Sequence, residues 1–405
     1  MRKFLSIYGL LTVLVLSGCA KQEPKKIAEP VQGVTDAEIL IGSSAALSGH
    51  ASFLGTQYIH GSEGYFNEVN NQGGVNGRKI RLISYDDQYD PPQTVANTQT
   101  LINQDHVFAL FDYVGTPTSV KIIDMVNESK IPALGFFTGA ESLRTPLRPY
   151  MFHVRDSYYA EAEGAIAYFV DKLGLKNIAV MYQDDAFGQA VLTGVQLALK
   201  RRSLEPVATA TFKRGSMEVE PALEIIRPSN AQVVIMVGTY SPLARFIKIS
   251  HDAEYKPFFH TVSFVGSLAY GKEIVEIQKI DPSQLENISI TQVVPSPLSQ
   301  ELPGIQEYLT NFKKYHPDDP PSDVALEGYV NAKVLVKALR DAGPHLTRES
   351  FISAMEALKN FNVGIGKSVS YSAVDHQGLS GVYYAKVTSE GSFKQFDPWG
   401  SVAQD

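Results

Sequence analysis

Two series of short apolar runs alternate with amphipathic segments along the chain. The runs of the first series begin near residues 38, 78, 107 and 131, and those of the second series near residues 177, 206, 232 and 257. Segments with helical spacing of apolar residues lie between them. Successive runs start roughly 25–30 residues apart, the length of one strand–helix unit. The pattern therefore predicts an α/β fold with two doubly wound lobes, each a mostly parallel sheet covered by helices on both faces.

The last part of the chain is less regular. An apolar run over residues 287–294 predicts a strand at which the chain changes lobe. Helical spacing predicts helices over residues 304–315, 322–342 and 348–358, the last with Thr347 as its N-cap. Strands are predicted over residues 369–372 and 381–387, and a segment at 392–397 is expected to pair with the latter.

The N-terminus has the pattern of a targeting segment. Arg2 and Lys3 precede an apolar run of 13 residues that ends at Leu16, which is too short to span a bilayer at about 20 residues. The sequence Leu16-Ser17-Gly18-Cys19 resembles the bacterial lipobox. Residues 1–18 are therefore expected to be a lipoprotein signal peptide, Cys19 the lipidated residue and residues 19–37 a flexible tether. The alternative is an ordinary secretory signal with a chance cysteine.

The charge and the cysteine content of the chain argue against some classes of function and structure. The formal net charge is −7 and no basic stripe is visible, which argues against nucleic acid as a partner. Cys19 is the only cysteine, so no internal disulfide is possible. With the N-terminal signal, the expected location is the periplasm or the cell surface, with a lipid anchor in the membrane.

Sequence motifs do not favour an enzyme. No G-x-S-x-G or H-E-x-x-H motif occurs, and the nine histidines show no metal-ligand spacing. Gly366-Lys367-Ser368 resembles the end of a P-loop, but Phe361 stands where its first glycine belongs. We therefore expect no catalysis, no cofactor and no metal. The pairs Asp86-Asp87 and Asp184-Asp185 could bind a cation but are expected to form turns and caps.

The loops beyond the carboxyl ends of the strands are the expected ligand site. The apolar run at residues 107–111 is followed by Gly115–Ser119, with Thr118 or Ser119 as a natural N-cap, and then by a helix. Free backbone N–H groups at such a helix start suit a carboxylate. The loops together carry hydroxyls and aromatic rings at Ser48, Thr116, Thr118, Phe137, Thr138, Phe187, Tyr240 and Phe264. The alternative interpretation is a simple helix cap and packing between lobes.

Several segments resemble one known family. Gly73–Ile80, then Tyr85-Asp86-Asp87, then Asp90-Pro91 with the helix after it, are similar to the first lobe of type I periplasmic binding proteins. More narrowly, they resemble the leucine/isoleucine/valine-binding family of ABC importers. The segments Gly115–Ser119 and Gly238–Pro242 fall where that family has its corresponding loops.

The resemblance implies two lobes joined by three crossovers, closing as a monomer on a small ligand that is delivered to an importer permease. It places residues 38–156 and 288–362 in the first lobe, and residues 157–287 and 363–400 in the second. Thr116 and its neighbouring N–H groups would meet the ligand carboxylate, and Phe137 and Gly139 would line the first lobe. Phe187 and Tyr240 would close from the second lobe.

The loop Val262–Gly266 departs from the family pattern. Branched-chain amino acid binders place an acid on the second lobe to hold the ligand's ammonium, and this loop has none. An unpaired buried ammonium would be costly. The ligand is thus left open between an apolar amino acid and an aromatic acid or amide. A sensor domain that signals to a membrane partner without transport is the alternative function, and a hydrolase is a more distant third.

Overall fold

The structure, a computed structural model, describes residues 31–399. The predicted signal peptide, the lipidation site Cys19 and residues 19–30 of the predicted tether lie outside the described residues. Residues 31–37 are packed against the first lobe, so the tether prediction is wrong for them. Val34 forms an antiparallel bridge with Ile39, and the N–H of Leu40 donates to the carbonyl of Gly33 at 2.7 Å.

The first lobe contains a parallel five-stranded sheet with helices around it. Its strands are β1 (Glu38–Ala45), β2 (Lys79–Asp86), β3 (Ala109–Phe111), β4 (Ala133–Leu134) and β5 (Met151–Phe152), in the order β2-β1-β3-β4-β5. Its first helices are α1 (Ser52–Asn71), α2 (Pro91–Asn103), α3 (Thr116–Ser119) and α4 (Ile123–Ser129). Seven of the eight residues of β1 are buried, as expected of a strand in a parallel sheet that is covered on both faces.

The second lobe repeats this arrangement. Its helices are α5 (Tyr158–Ile166), α6 (Ala186–Lys200), α7 (Glu220–Ile226), α8 (Tyr240–Asp252) and α9 (Ser267–Lys272). Its parallel strands are β6 (Ile178–Gln183), β7 (Ala208–Phe212), β8 (Val233–Val237), β9 (Phe258–Thr261) and β10 (Ile288–Gln292). One π-helical turn extends α5 and another extends α9 (Ala167–Lys172 and Glu273–Ile277).

The chain then returns to the first lobe and crosses once more. The returning elements are α10 (Pro303–Tyr315), α11 (Asp323–Ala342), α12 (Arg348–Ala357) and the short strands β11 (Phe361–Asn362) and β12 (Ser368–Val369). Finally β13 (Tyr383–Val387) and β14 (Phe393–Phe396) add antiparallel strands to the second sheet, whose order is β14-β13-β10-β9-β8-β6-β7. The predicted pairing of these two last segments is confirmed.

The expected lobe boundaries are wrong at two crossovers. The strand Ile288–Gln292 pairs with β9 and β13 in the second sheet, so the chain leaves the second lobe after Gln292. Val363, Val369 and Leu379 pack in the core of the first lobe, so the last crossover comes after Leu379 rather than at residue 363. The sequence of a single apolar strand does not show which of two sheets it joins, because either sheet would bury it equally well.

The Asn76-Gly77 pair forms a turn, and the Thr347 N-cap lies where the pattern predicted it. Asn76 and Gly77 both have positive φ, 50° and 81°, in a two-residue turn that bridges Val75 and Arg78; this is the backbone geometry for which Asn-Gly is suited. The Thr347 side chain caps α12 by accepting from the N–H of Ser350 at 3.1 Å. Local sequence therefore determines these turns without help from packing.

Candidate functional site

Aromatic rings from the two lobes meet at the carboxyl ends of the strands. Phe137, after β4, lies 5.3 Å from Phe264, after β9, measured between ring centroids. Phe264 is also 4.5 Å from Phe187 at the start of α6 and 5.8 Å from Tyr89, after β2. Phe137, Phe187 and Phe264 expose no surface. Since these rings come from both lobes, the lobes are closed on each other, and three of the predicted site residues are brought together.

The predicted hydroxyls of the first lobe lie in the same region. Thr116 Oγ1 and Thr138 Oγ1 are 2.6 Å apart and both residues are buried. Thr118 is buried beside them, but its hydroxyl donates back to the carbonyls of Gly115, at 2.8 Å, and Val114. Its side chain is therefore less free to serve a ligand than the sequence indicated.

The predicted N-cap at Thr118 or Ser119 is wrong. The helix α3 begins at Thr116, and its N-cap is Gly115 with φ 95°. A Cβ on Gly115 would lie 2.1 Å from Cε2 of Tyr89. Glycine is required both by the positive φ and by the ring packed against it, so the loop is shaped by Tyr89.

Gly139 joins the first lobe to the start of the second. Its carbonyl accepts from the N–H of Tyr158 at 2.7 Å, and a Cβ on Gly139 would come within 2.5 Å of that nitrogen. The backbone of Gly139, which was predicted to line the ligand site, is thus engaged by a contact within the protein.

Two predicted site residues lie apart from this cluster. Ser48 is exposed, and its hydroxyl donates to the Asp86 carboxylate. Tyr240 is partly buried at the edge of an interlobe groove of about 840 Å³, with its ring 6.4 Å from that of Phe53 across the groove. Tyr240 therefore borders the interlobe groove rather than the ring cluster, and Ser48 is held by Asp86.

Three buried polar atoms that make no hydrogen bond of normal geometry within residues 31–399 accompany the rings, and the sequence reasoning missed them. They are the hydroxyls of Tyr89 and Tyr158 and the Oε1 of Gln183. The Gln183 side chain lies near the Tyr89 hydroxyl and the Thr138 side chain near the Tyr158 hydroxyl, where each acts to lower the pKa of its tyrosine. Burial raises the pKa of Tyr158 to about 12 and that of Tyr89 well above its usual value, so both hydroxyls keep their protons and can donate. Buried polar groups are normally satisfied, so such atoms between two lobes mark a place where a ligand would supply the partners.

Comparison with known proteins agrees with this geometry. Residues 38–392 match the sequence profile of the family described as periplasmic binding protein. The chain belongs to the periplasmic binding protein family.

Individual relatives indicate which type of periplasmic binding protein this chain is similar to. A Leu/Ile/Val-binding protein homolog from Brucella suis is 26% identical over 322 residues, covering 75% of this chain and 77% of the relative. The crystal structure of a possible leucine/isoleucine/valine-binding protein from Rhodopirellula baltica has a TM-score of 0.83 at 31% identity, over 93% of this chain and all of that one. A substrate-binding periplasmic protein from Ralstonia solanacearum has a TM-score of 0.81 at 29% identity, over 89% of this chain and all of that one.

The predicted fold class and family are thereby confirmed. This periplasmic binding protein has the type I arrangement of two α/β lobes with three crossovers, and its relatives are solute-binding proteins of the branched-chain amino acid type. Family membership implies a location outside the cytoplasm. Within residues 31–399, no helix combines the length and the apolar character needed to cross a membrane.

Arg155 is a buried cation in the interlobe region of this periplasmic binding protein. Its guanidinium lies 4.7 Å from the centre of the Phe137 ring, donates to Ser263 Oγ and lies 3.4 Å from the Glu327 carboxylate. Burial alone would lower the pKa of Arg155, but the neighbouring Glu327 charge raises it above its usual value. The Nη1 of Arg155 has no hydrogen-bond partner within the described residues. No sequence motif marks this arginine, because its partners come from distant parts of the chain.

A buried acid also reaches the Phe264 loop, from a helix rather than from the loop itself. The Glu161 carboxylate accepts from the N–H of Ser263 at 2.7 Å, from its hydroxyl at 2.9 Å, and from the Thr291 hydroxyl at 2.6 Å. Burial raises the pKa of Glu161. Both carboxylate oxygens are occupied in holding the loop in place.

The paired aspartates act as caps and turn formers, as predicted. Asp185 caps α6 by accepting from the N–H groups of Phe187, at 2.9 Å, and Gly188, at 3.3 Å. Asp87 is fully buried and accepts from the Tyr89 N–H at 2.9 Å. The two carboxylates thereby position Phe187 and Tyr89, one on each side of the interlobe region.

Proposed function

We propose that this periplasmic binding protein is a lipid-anchored extracytoplasmic protein that captures a small carboxylate-bearing ligand between its lobes and delivers it to an ABC importer. The observation that carries the proposal is the set of buried, unpartnered polar atoms at the closed interlobe contact, on Tyr89, Tyr158 and Gln183. The names of its relatives support an apolar amino acid or a similar small acid as the class of ligand.

Several hydrogen-bond donors lie around the site. The hydroxyls of Tyr89 and Tyr158 are protonated, and the Thr116–Thr138 hydroxyl pair has one proton that is not needed between the two oxygens. Arg155 adds a positive charge beside Phe137. Such a set suits a carboxylate or an amide oxygen, and the rings of Phe137, Phe187 and Phe264 suit an apolar or aromatic body.

The site is less suited to the ammonium group of an amino acid than to its carboxylate. Glu161 and Asp185, which hold the loops of Phe264 and Phe187, have their oxygens occupied by protein donors. A ligand ammonium would have to displace one of these donors. An aromatic or branched carboxylic acid, or its amide, therefore fits the site at least as well as an amino acid.

Matched ligand pairs test this choice. Phenylalanine and 3-phenylpropanoate, and leucine and 4-methylpentanoate, differ only in the ammonium group, and the methyl ester of each acid removes the carboxylate charge. We expect the acids to raise the melting temperature and to reduce the radius of gyration in small-angle scattering, and the esters to do neither. Mass spectrometry of ligand co-purified with the protein gives an independent identification. If no acid, amide or amino acid has either effect, the capture proposal fails.

Delivery and anchoring need separate measurements. Uptake of the identified ligand by cells should be lost on deletion of the protein and restored by the wild-type gene. Metabolic labelling with palmitate should mark the wild-type protein and not the Cys19→Ser variant, which should appear in the soluble fraction. Ligand binding without any loss of uptake would favour the sensor alternative.

A further inference from the structure

A polar cluster on the first lobe joins α1 to the end of α10, away from the rings of the interlobe contact. His60 and Glu63 lie one turn apart on α1, and His316 is the C-cap residue that follows α10. The two imidazole rings are stacked with centroids 4.2 Å apart and planes 14° apart. His316 Nε2 is 3.7 Å from the Glu63 carboxylate, too far for a hydrogen bond, and has no hydrogen-bond partner among the described residues.

The three side chains bring potential ligand atoms close together. Each offers one ligand atom, and these atoms all lie within 4.8 Å of one another. To reach the ligand distances of about 2.0–2.2 Å from a common ion, the two stacked rings would have to turn out of their parallel arrangement, because an imidazole nitrogen binds a metal in the plane of its ring. All three residues are partly exposed, so an ion could enter from solvent.

A fourth residue orients the cluster. The Asp319 carboxylate is 2.5 Å from Nδ1 of His60, which leaves the Nε2 of that ring for another partner. A carboxylate on the far nitrogen is the usual means of fixing a metal-binding imidazole.

We propose that His60, Glu63 and His316 form a binding site for a divalent transition metal, with Asp319 as the residue that positions His60. Two imidazoles and one carboxylate are a donor set that suits Zn²⁺, with water in the fourth position. The ion would fasten the end of α10 to the middle of α1, the helix that also carries Tyr58 against the Phe137 ring. The sequence did not predict the site, because folding alone brings the end of α10 beside α1.

Zinc binding by the mature chain without a histidine tag tests the proposal. After treatment with EDTA and dialysis, calorimetric titration with Zn²⁺ and metal analysis should give one ion per chain, and the melting temperature should rise until one equivalent is added. Co²⁺ should give visible absorption bands from the same site. His316→Ala and Glu63→Gln should each weaken Zn²⁺ binding at least 100-fold, and Asp319→Asn about 10–100-fold.

The control variant is His345→Ala, which removes an exposed histidine elsewhere on the chain and should leave Zn²⁺ binding unchanged. Circular dichroism of the metal-free variants checks their folding, and Glu63→Gln decides the matter if His316→Ala is unfolded. The proposal is overturned if the wild-type protein binds no Zn²⁺, or if a folded Glu63→Gln or His316→Ala variant binds it as tightly as the wild type. Neither result depends on a ligand between the lobes.

Discussion

Phe137 of the first lobe and Phe264 of the second lobe lie with their ring centroids 5.3 Å apart, and neither ring is exposed. A contact between two lobes exists only while the lobes are closed. It therefore contributes to the free-energy difference between the open and closed states, and a ligand adds to that difference by its preference for the closed state. Residues at this contact should affect closure and ligand binding more than they affect the folding of either lobe.

Phe264→Ala is expected to open the protein. Loss of the ring removes its contacts with Phe137, Phe187 and Tyr89, so the closed state loses more than the open state. The radius of gyration of the ligand-free protein should increase, and ligand affinity should fall at least tenfold. Small-angle scattering and calorimetric titration measure the two effects.

Phe246→Ala provides the matched control. Phe246 is equally buried but packs within the second lobe, 6.3 Å from Phe259. Its loss should lower the free energy of unfolding by about 3–5 kcal/mol without a change in the radius of gyration. If Phe264→Ala instead reproduces the stability loss of Phe246→Ala and leaves the protein closed, the Phe264 ring is core packing.

Tyr158→Phe is expected to separate binding from stability. The hydroxyl is buried and makes no hydrogen bond of normal geometry within the described residues, although the Thr138 side chain lies near it. Its removal should therefore leave the free energy of unfolding nearly unchanged. Ligand affinity should fall about fivefold, since one hydrogen bond contributes roughly 1 kcal/mol. Tyr371→Phe is the control, because its hydroxyl is also buried and unpartnered but lies in the core of the first lobe. Equal ligand affinity in the two variants would count against a binding role for Tyr158.

Asp87 should make stability fall with rising pH. Burial raises its pKa to about 6 from the ordinary value of 3.8, although the Ser44 hydroxyl and other donors oppose the shift. The folded chain then holds a proton that the unfolded chain has released between about pH 4 and 6. The free energy of unfolding should therefore decrease across that window, by about 3 kcal/mol from this group.

Urea unfolding of wild type and Asp87→Asn at pH 4, 5, 6 and 7 measures this effect. The difference between the two free energies should change through the window and level off above it. Asp36→Asn, at an exposed carboxylate, should follow the wild type at every pH. A difference between wild type and Asp87→Asn that is constant with pH would show that Asp87 keeps an ordinary pKa in the folded state.

Local signals made much of the fold predictable. Apolar runs located the strands, and Asn76-Gly77 and Thr347 marked a turn and a cap through their own backbone chemistry. The assignment of Ile288–Gln292 failed because pairing with β9 and β13 is a tertiary choice. The candidate site also combines residues that local sequence marks and residues that only tertiary packing selects. Phe137, Phe187 and Phe264, which the structure brings together, could be predicted from their places after strands or at a helix start.

The residues that were missed depend on contacts between distant segments. Tyr89 and Arg155 carry no local motif, and their roles follow from the ring of the one against Gly115 and the ion pair of the other with Glu327. The availability of Thr118 to a ligand was overestimated, because its hydroxyl donates to the nearby backbone carbonyl of Gly115. Whether a hydroxyl bonds to the backbone or remains available to a ligand depends on the geometry of a single hydrogen bond. The spacing of residues along a sequence does not give that geometry.

Gly61→Ala is expected to destabilise the first lobe. A Cβ at this position of α1 would lie 1.9 Å from the carbonyl oxygen of Ala325 in α11, so the two helices would have to move apart. Overpacking of this kind costs about 1–3 kcal/mol or more, and the better helix propensity of alanine returns only about 1 kcal/mol. A net loss of up to about 2 kcal/mol in the free energy of unfolding should follow, measured by urea titration.

Gly64→Ala on the same helix is the matched comparison. Its added Cβ would meet nothing closer than 3.8 Å, at Phe312, which is an ordinary contact. This variant should gain up to about 1 kcal/mol from helix propensity. Because Tyr58 lies on α1 one turn before Gly61 and packs on Phe137 at 4.8 Å, Gly61→Ala should also weaken ligand binding, whereas Gly64→Ala should not. If both variants shift stability in the same direction, the close approach of α1 and α11 at Gly61 does not limit the packing of this lobe.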